Sequence, residues 1–195
     1  NAMALITKNS PYKSIKYVRA SVDDAEKAEE IGFLSGNDEK VAIYFNAFHD
    51  AFDHIVRKRL KDNSAKGEAF EEKVAEKKED LFNKYHIELM IGTGMRGRTL
   101  KDCIIILDEV QNNSQPSLHK LLTRPGDNVK CIVIGSQRQI DNPYITKYNN
   151  GLSVLLEDAT KPAKEITMHA VTLNTVVRSP MAAWAERLFS KDKDL

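Results

Sequence analysis

CIIILDEVQNN, residues 103–113, decides the fold. Four apolar residues in a row, Ile104 to Leu107, run straight into two adjacent carboxylates, Asp108 and Glu109. A short unbroken apolar run reads as a strand buried on both faces, the kind a parallel sheet contains. Ligands of open α/β sheets bind beyond the carboxyl ends of the strands. The two acids are therefore expected at a site.

Acids in that position have a specific use. The first can hold Mg²⁺, directly or through a water, and the second can orient or deprotonate a water attacking a phosphate. Together they form the Walker B pattern of nucleoside triphosphatases; the plain alternative is a solvated strand end. The usual companion is missing. A P-loop needs Gly-x-x-x-x-Gly-Lys-[Ser/Thr], whose backbone N–H groups and Lys grip phosphates. Gly92-Thr93-Gly94 is followed by Met95, and the segment from Gly94 to Gly97 holds no Lys. The chain carries the metal side of a nucleotide site without its phosphate cradle.

The 195 residues suffice for one domain with a proper core. A net charge of +1 creates no global field toward nucleic acid or membrane. No apolar run approaches bilayer-spanning length, no signal peptide is evident, and Asn1-Ala2 reads as a tag remnant before Met3. Cys103 and Cys131 are expected as core hydrophobes opening buried strands in a reducing, cytoplasmic compartment. The five histidines lack metal-ligand spacing.

Outward from 103–113 the pattern alternates. A helix tail at 3–8 stops at Asn9-Ser10-Pro11, and 15–18 is a short strand. Asn37 can cap a long helix to about residue 60, with Ile43, Ala47, Phe48, Ala51, Phe52 and Ile55 on its apolar stripe. A second helix over 68–85 has a thin seam of Phe70, Val74, Leu81 and Tyr85. Mixed charges over 57–86 mark a charged helical hairpin with a solvated face, or a nucleic-acid patch. Further strands are expected at 87–90, 131–134 and 165–170. Helices follow at 114–123, opened by Ser114 and Pro116, at 151–158, and from Pro180 to 189. Trp184 is expected in the core. This is an α/β layered fold with a largely parallel sheet.

GFLSGN (32–37), MRGRTLKD (95–102), IIILDEVQNN (104–113), LLTRPG (121–126), VIGSQRQID (133–141), NNGL (149–152) and VVRSP (176–180) occur in one order. That series resembles the PhoH-like family, phosphate-starvation-type ATPases related to superfamily 1 helicase cores. The resemblance runs from about Ile15 to the C-terminus. It implies a single three-layer RecA-like P-loop NTPase domain over 3–195, with 57–86 as an inserted hairpin. It also implies ATP and Mg²⁺ as ligands, homo-oligomeric rings and a role in RNA metabolism. The family's P-loop would lie just before Met3. Ser136 stands where the family has Asp after the Gly, Thr175 replaces an acid, and Ser35 replaces a proline. Nucleotide affinity of this chain alone is accordingly expected to be weak or absent.

Site roles follow. Asp108 is the Mg²⁺ ligand and Glu109 directs the water. By resemblance, Gln111 couples the site to nucleotide state and Gln139 senses the γ-phosphate. Arg124 and Arg178 are candidates to absorb transition-state charge, one in cis and one across a subunit boundary, since a planar guanidinium matches phosphoryl oxygens. Arg96 and Arg98 either contact nucleotide or nucleic-acid phosphates, or pair with carboxylates and hold their loop to the sheet. Arg19 is a nucleic-acid backbone contact or half of a structural pair. The alternative for the whole chain is an RNA- or single-strand-binding or assembly module with a decayed ATPase.

Overall fold

The computed structural model describes residues 2–20, 42–60, 67–95, 97–161, 166–173 and 179–190. The expected cap at Asn37, and Arg96, Thr175 and Arg178, lie outside them. Contacts group the chain into two compact units, Asn1–Leu155 and Leu156–Leu195.

The first unit opens with α1 (Ala2–Leu5) and β1 (Ser14–Arg19). A 3₁₀ turn (Ile43–Phe45) leads into α2 (Asn46–Leu60), and α3 (Glu68–Lys84) returns to β2 (Ile87–Ile91). Then come β3 (Cys103–Asp108), α4 (Gln115–Leu122), β4 (Val129–Val133) and α5 (Gly151–Asp158). The strands form one sheet of order β2-β1-β3-β4 with every pairing parallel. It is flanked by helices, the α/β architecture expected of a RecA-like domain. The apolar run explains β3's place: Cys103, Ile104, Ile105 and Leu107 are at most 1% exposed, as an interior strand requires.

Three strands are entered through left-handed residues, His86 (φ 44°) before β2, Asp102 (φ 50°) before β3 and Asn128 (φ 54°) before β4. His, Asp and Asn are the side chains most tolerant of that region. Asn128 Nδ2 donates to Asp102 Oδ1 at 2.8 Å, tying two neighbouring entrances together. Ser114 caps α4 by accepting from Ser117 N–H, with Pro116 in the first turn, as the sequence predicts. Gly151 opens α5 where a Cβ would lie 2.7 Å from Leu118 Cδ2, so a side chain there would collide with α4.

α2 and α3 form the expected hairpin around Phe52, Val56, Val74 and Leu81, with Phe48, Phe70, Phe82, Tyr85 and Ile87 packed against them. The buried stripe of the first helix differs from the expected one. It runs through Phe45, Phe48, Phe52 and Val56, while Ile43 (65%) and Ile55 (38%) are exposed. Phe48 and Phe52 lie on the expected stripe and hold their place, while its edge shifts from Ile43 and Ile55 to Phe45 and Val56. Several of the hairpin's charges pair with each other. Arg57 forks onto Glu71 at 2.8 and 2.6 Å and also bonds Asp53, which Lys78 reaches from α3. The solvated-face reading therefore fits better than a basic patch.

Three expectations fail among the described residues. Cys131 is exposed, because it sits mid-way along β4 at the margin of the sheet; both cysteines are free thiols. Within the second unit, 166–173 contains no strand, and Trp184 on α6 (Pro180–Ser190) is 51% exposed instead of core. None of the described helices is long and apolar enough to cross a membrane.

Candidate functional site

In a parallel sheet, residues that follow strands gather at one end. Arg19 ends β1 and pairs in register with Asp108, which ends β3. Arg19 Nη1 donates to Asp108 Oδ2 at 3.0 Å and lies 3.7 Å from Glu109 Oε1. Tyr17, two residues earlier and so on the same face of β1, donates its hydroxyl to that same Oδ2. Phe45 and Phe48 flank its ring, with centroids 6.3 and 4.8 Å away. Burial pushes the Tyr17 phenol well above its ordinary pKa, and the Asp108 carboxylate pushes it further. It stays a protonated donor. The side chains of Arg19, Asp108 and Glu109 are 22, 17 and 28% exposed, which leaves the acids reachable.

Glu109 adopts the left-handed conformation, φ 60° and ψ 37°. Unlike the strand-entrance residues, Glu has no special tolerance for it, and such strain collects at functional sites. What holds it is a pair of buried amides. Gln111 Nε2 donates to Glu109 Oε2 at 2.7 Å and to the Gln139 carbonyl at 2.8 Å, while its Oε1 accepts from Ser136 N–H at 3.1 Å. Asn112 Nδ2 donates to the same Glu109 oxygen at 3.3 Å, and its Oδ1 accepts from Asp141 N–H at 2.7 Å and Asn142 N–H at 3.3 Å. The loop after β4 is thus fastened to the second acid. Asn113 Nδ2 closes the arrangement by bonding the Ala20 carbonyl at 2.9 Å.

Not all expected residues meet here. Gln139 reaches the site through its backbone carbonyl, and its side chain is exposed. Arg98 pairs with Glu88 of β2 at 3.0 Å, the loop-holding alternative. Arg124 lies at the opposite end of the sheet. Its carbonyl accepts from Leu100 N–H, just ahead of β3, whereas Asp108 ends that strand. A six-residue strand spans roughly 17 Å between them, so Arg124 is no cis partner of Asp108. Arg19 forms the structural pair that was one of its two readings, here with Asp108, and Tyr17 and Asn112 are at the site without having been given a role there.

The residues fit magnesium. Mg²⁺ prefers oxygen ligands, keeps waters, and typically takes one or two carboxylates plus phosphate oxygens. Asp108 could supply a carboxylate oxygen, with Glu109 beside it, and the Arg19 guanidinium lies against both acids. No cluster of three or more His, Cys, Asp or Glu that could cage a metal exists among the described residues.

A family model described as "PhoH-like protein" matches residues 2–190. The chain belongs to the PhoH-like family. It is 34% identical over 177 residues to a "PhoH-like protein" of Bacillus subtilis (strain 168), covering 90% of this chain and 48% of that protein. It is 31% identical over 157 residues to a "PhoH-like protein" of Synechocystis sp., covering 80% and 42%. "Protein PhoH" of Escherichia coli (strain K12) is 34% identical over 116 residues, 59% of this chain and 28% of that one. This PhoH-like chain spans about half the length, or less, of these curated relatives.

Two predictions arise from the PhoH-like geometry. A Cβ at Gly135 would lie 2.7 Å from Gln111 Oε1 and 3.0 Å from Leu152 Cδ2. Gln111 is 1% exposed and tied at three points, so it cannot swing aside freely. Gly135→Ala should cost about 1–3 kcal/mol in urea denaturation. Separately, hydrogen bonds from Arg98 and then Lys16 hold the Glu88 carboxyl below its ordinary value of 4.5. A depressed carboxyl contributes stability above the ordinary value, lost as pH falls through the depressed one. Glu88→Gln should therefore lower the unfolding free energy measured in urea at neutral pH, by at most about 1 kcal/mol for so exposed a group. The difference should shrink progressively below pH 4.5.

Proposed function

We propose that this chain supplies the metal and water side of an ATP-binding and ATP-hydrolysing domain acting in cytoplasmic RNA metabolism. The observation that carries the reading is Glu109, strained into the left-handed region beside Asp108 and held there by Gln111 and Asn112. A protein that only needed a solvated strand end has no use for that arrangement. Asp108 would hold Mg²⁺, through a water or by Oδ1, since Oδ2 already receives Tyr17 and Arg19. The metal would neutralise developing charge on the phosphates. Glu109 accepts the proton of, or aligns, the attacking water. Gln111 and Asn112 fix the direction of its carboxylate through the loop that carries Gln139. Arg178 or Arg124, from a neighbouring subunit of a homo-oligomeric ring, is the candidate to meet transition-state charge. RNA or another single strand is the proposed macromolecular partner.

Calorimetry tests this. Mg·ATP titrated into the chain alone should give weak or no heat. The same chain preceded by a Gly-rich segment ending in Gly-Lys-[Ser/Thr] should bind it, and Asp108→Asn should then weaken the Mg²⁺-dependent part at least about ten-fold, or 1.4 kcal/mol. Affinity indifferent both to Mg²⁺ and to Asp108→Asn removes the reading. Ser136, which offers only its backbone N–H to Gln111, favours a second one: an RNA-binding or assembly module with decayed hydrolysis. That reading predicts RNA binding that falls steeply with salt and is unaffected by nucleotide.

A further inference from the structure

Asp108 meets a cation before any metal arrives. A single nitrogen of Arg19 lies against both acids, 3.0 Å from Asp108 Oδ2 and 3.7 Å from Glu109 Oε1. Its position is not casual. In-register pairing of β1 with β3 sets Arg19 beside Asp108, and Tyr17 on the same face immobilises the shared oxygen. The hairpin aromatics Phe45 and Phe48 hold Tyr17 in turn. Arg19 Nε, meanwhile, is buried without a hydrogen-bond partner. Buried donors are nearly always satisfied, and each exception calls for an explanation. A guanidinium with spare donors next to paired carboxylates suits a phosphoryl oxygen, which it can grip with two parallel hydrogen bonds.

We propose that Arg19 is an internal counter-cation that keeps a free divalent ion off Asp108 and gives way when the metal arrives with a polyphosphate. The proposal rests on Asp108 being the metal ligand. With no phosphate present, guanidinium and metal compete for the same carboxylates, and like charges a few ångströms apart repel. When a polyphosphate enters, its oxygens draw the guanidinium and satisfy Nε, and Asp108 is released to the metal. Metal and polyphosphate then strengthen each other's binding, a coupling that must be reciprocal. Arg19 is on this account a specificity-determining residue: the site takes a metal–polyphosphate complex in preference to a bare ion.

The probes, applied to the chain preceded by a Gly-rich segment ending in Gly-Lys-[Ser/Thr], are Mn²⁺ alone, followed by the electron paramagnetic resonance of the free ion, and preformed Mn·tripolyphosphate, followed by calorimetry. Arg19→Gln should bind bare Mn²⁺ at least about ten-fold more tightly than the wild type, because a unit charge has left contact distance. It should bind Mn·tripolyphosphate more weakly. Arg19→Lys keeps the charge and should stay near the wild type for bare Mn²⁺. A merely structural arginine would not produce opposite shifts for the two probes. Should Arg19→Gln fail to fold by circular dichroism, Arg19→Met retains the aliphatic stem and is read in the same way. Equal Mn²⁺ affinity in folded Arg19→Gln and wild type overturns the proposal while leaving Asp108 in its role, provided Asp108→Asn abolishes that binding. If Asp108→Asn leaves Mn²⁺ binding unchanged in both backgrounds, the metal reading itself fails.

Discussion

On the proposed reading, Glu109→Gln should lower ATP hydrolysis by roughly 10²- to 10⁴-fold in a form of the chain that also carries a phosphate loop ahead of residue 3. Gln has nearly the shape of Glu, and its carbonyl oxygen can still accept from the Gln111 and Asn112 amides. The loop after β4 therefore stays fastened, and the backbone strain at residue 109 is unchanged. What disappears is the anion proposed to orient or deprotonate water. Stability should move by less than about 1 kcal/mol, since a neutral acceptor replaces a charged one at a partly exposed position. Phosphate release measured at saturating Mg·ATP, alongside thermal melts, separates the two effects. A variant that hydrolyses as fast as the parent would show that Glu109 is a structural acid. A variant that loses rate only because it unfolds would show that its role is to anchor the loop.

The elements of the sheet were legible because their signals are local. An apolar run ending in acids can hardly be anything but an interior strand, and Cys103–Asp108 is one. Ser114 and Pro116 announced α4 by capping chemistry that needs no tertiary information. Exposure was less legible. Residues 131–134 are all apolar, as in an interior strand, yet Cys131 and Ile134 are exposed. Which strand lies at the margin depends on sheet order, and local composition does not encode order. The stripe of α2 failed in part for a related reason. Phe48 and Phe52 were read correctly, but Ile43 and Ile55 keep helical spacing with them as well as Phe45 and Val56 do, and only the partner surface chooses which edge of the stripe is buried.

The acids of the site were readable, and their restraints were not. Glu109 needed its neighbours Gln111 and Asn112, but that both amides converge on one oxygen follows from the left-handed turn at 109, which no spacing rule foretells. Arg19 was hidden by topology, since its importance comes from β1 lying against β3. Arg124 was misplaced although the sequence held the corrective. In a parallel sheet, residues that follow strands lie at one end and residues that follow helices lie at the other. Arg124 comes directly after α4 and so belongs with Leu100 and Asp102, while Arg19 and Glu109 come directly after strands. Chain order within each strand–helix unit therefore separates the site arginine from the distal one.

The second large effect is on stability. Phe52→Ala should cost about 3–5 kcal/mol, comparable with the whole stability of many domains of this size. Phe52 is 4% exposed, stacked on Phe48 with centroids 5.5 Å apart, and edge-on to Phe82 at 5.1 Å. Val56, Val74 and Leu81 complete its surroundings, and the rigid helices on either side cannot collapse fully into the space left behind. The consequence should reach the site. Phe48 loses its stacking partner, and Phe48 is one of the two rings that hold Tyr17, whose hydroxyl fixes Asp108. In contrast, Arg57→Ala breaks two ion pairs on the hairpin surface, to Asp53 and Glu71, and should cost far less than Phe52→Ala, because solvent and salt screen them. Urea denaturation of both variants, with the Tyr17 ring followed by NMR, tests the contrast. Equal costs for the two, or a Tyr17 environment unmoved by Phe52→Ala, would show that the hairpin rides on the sheet without gripping it.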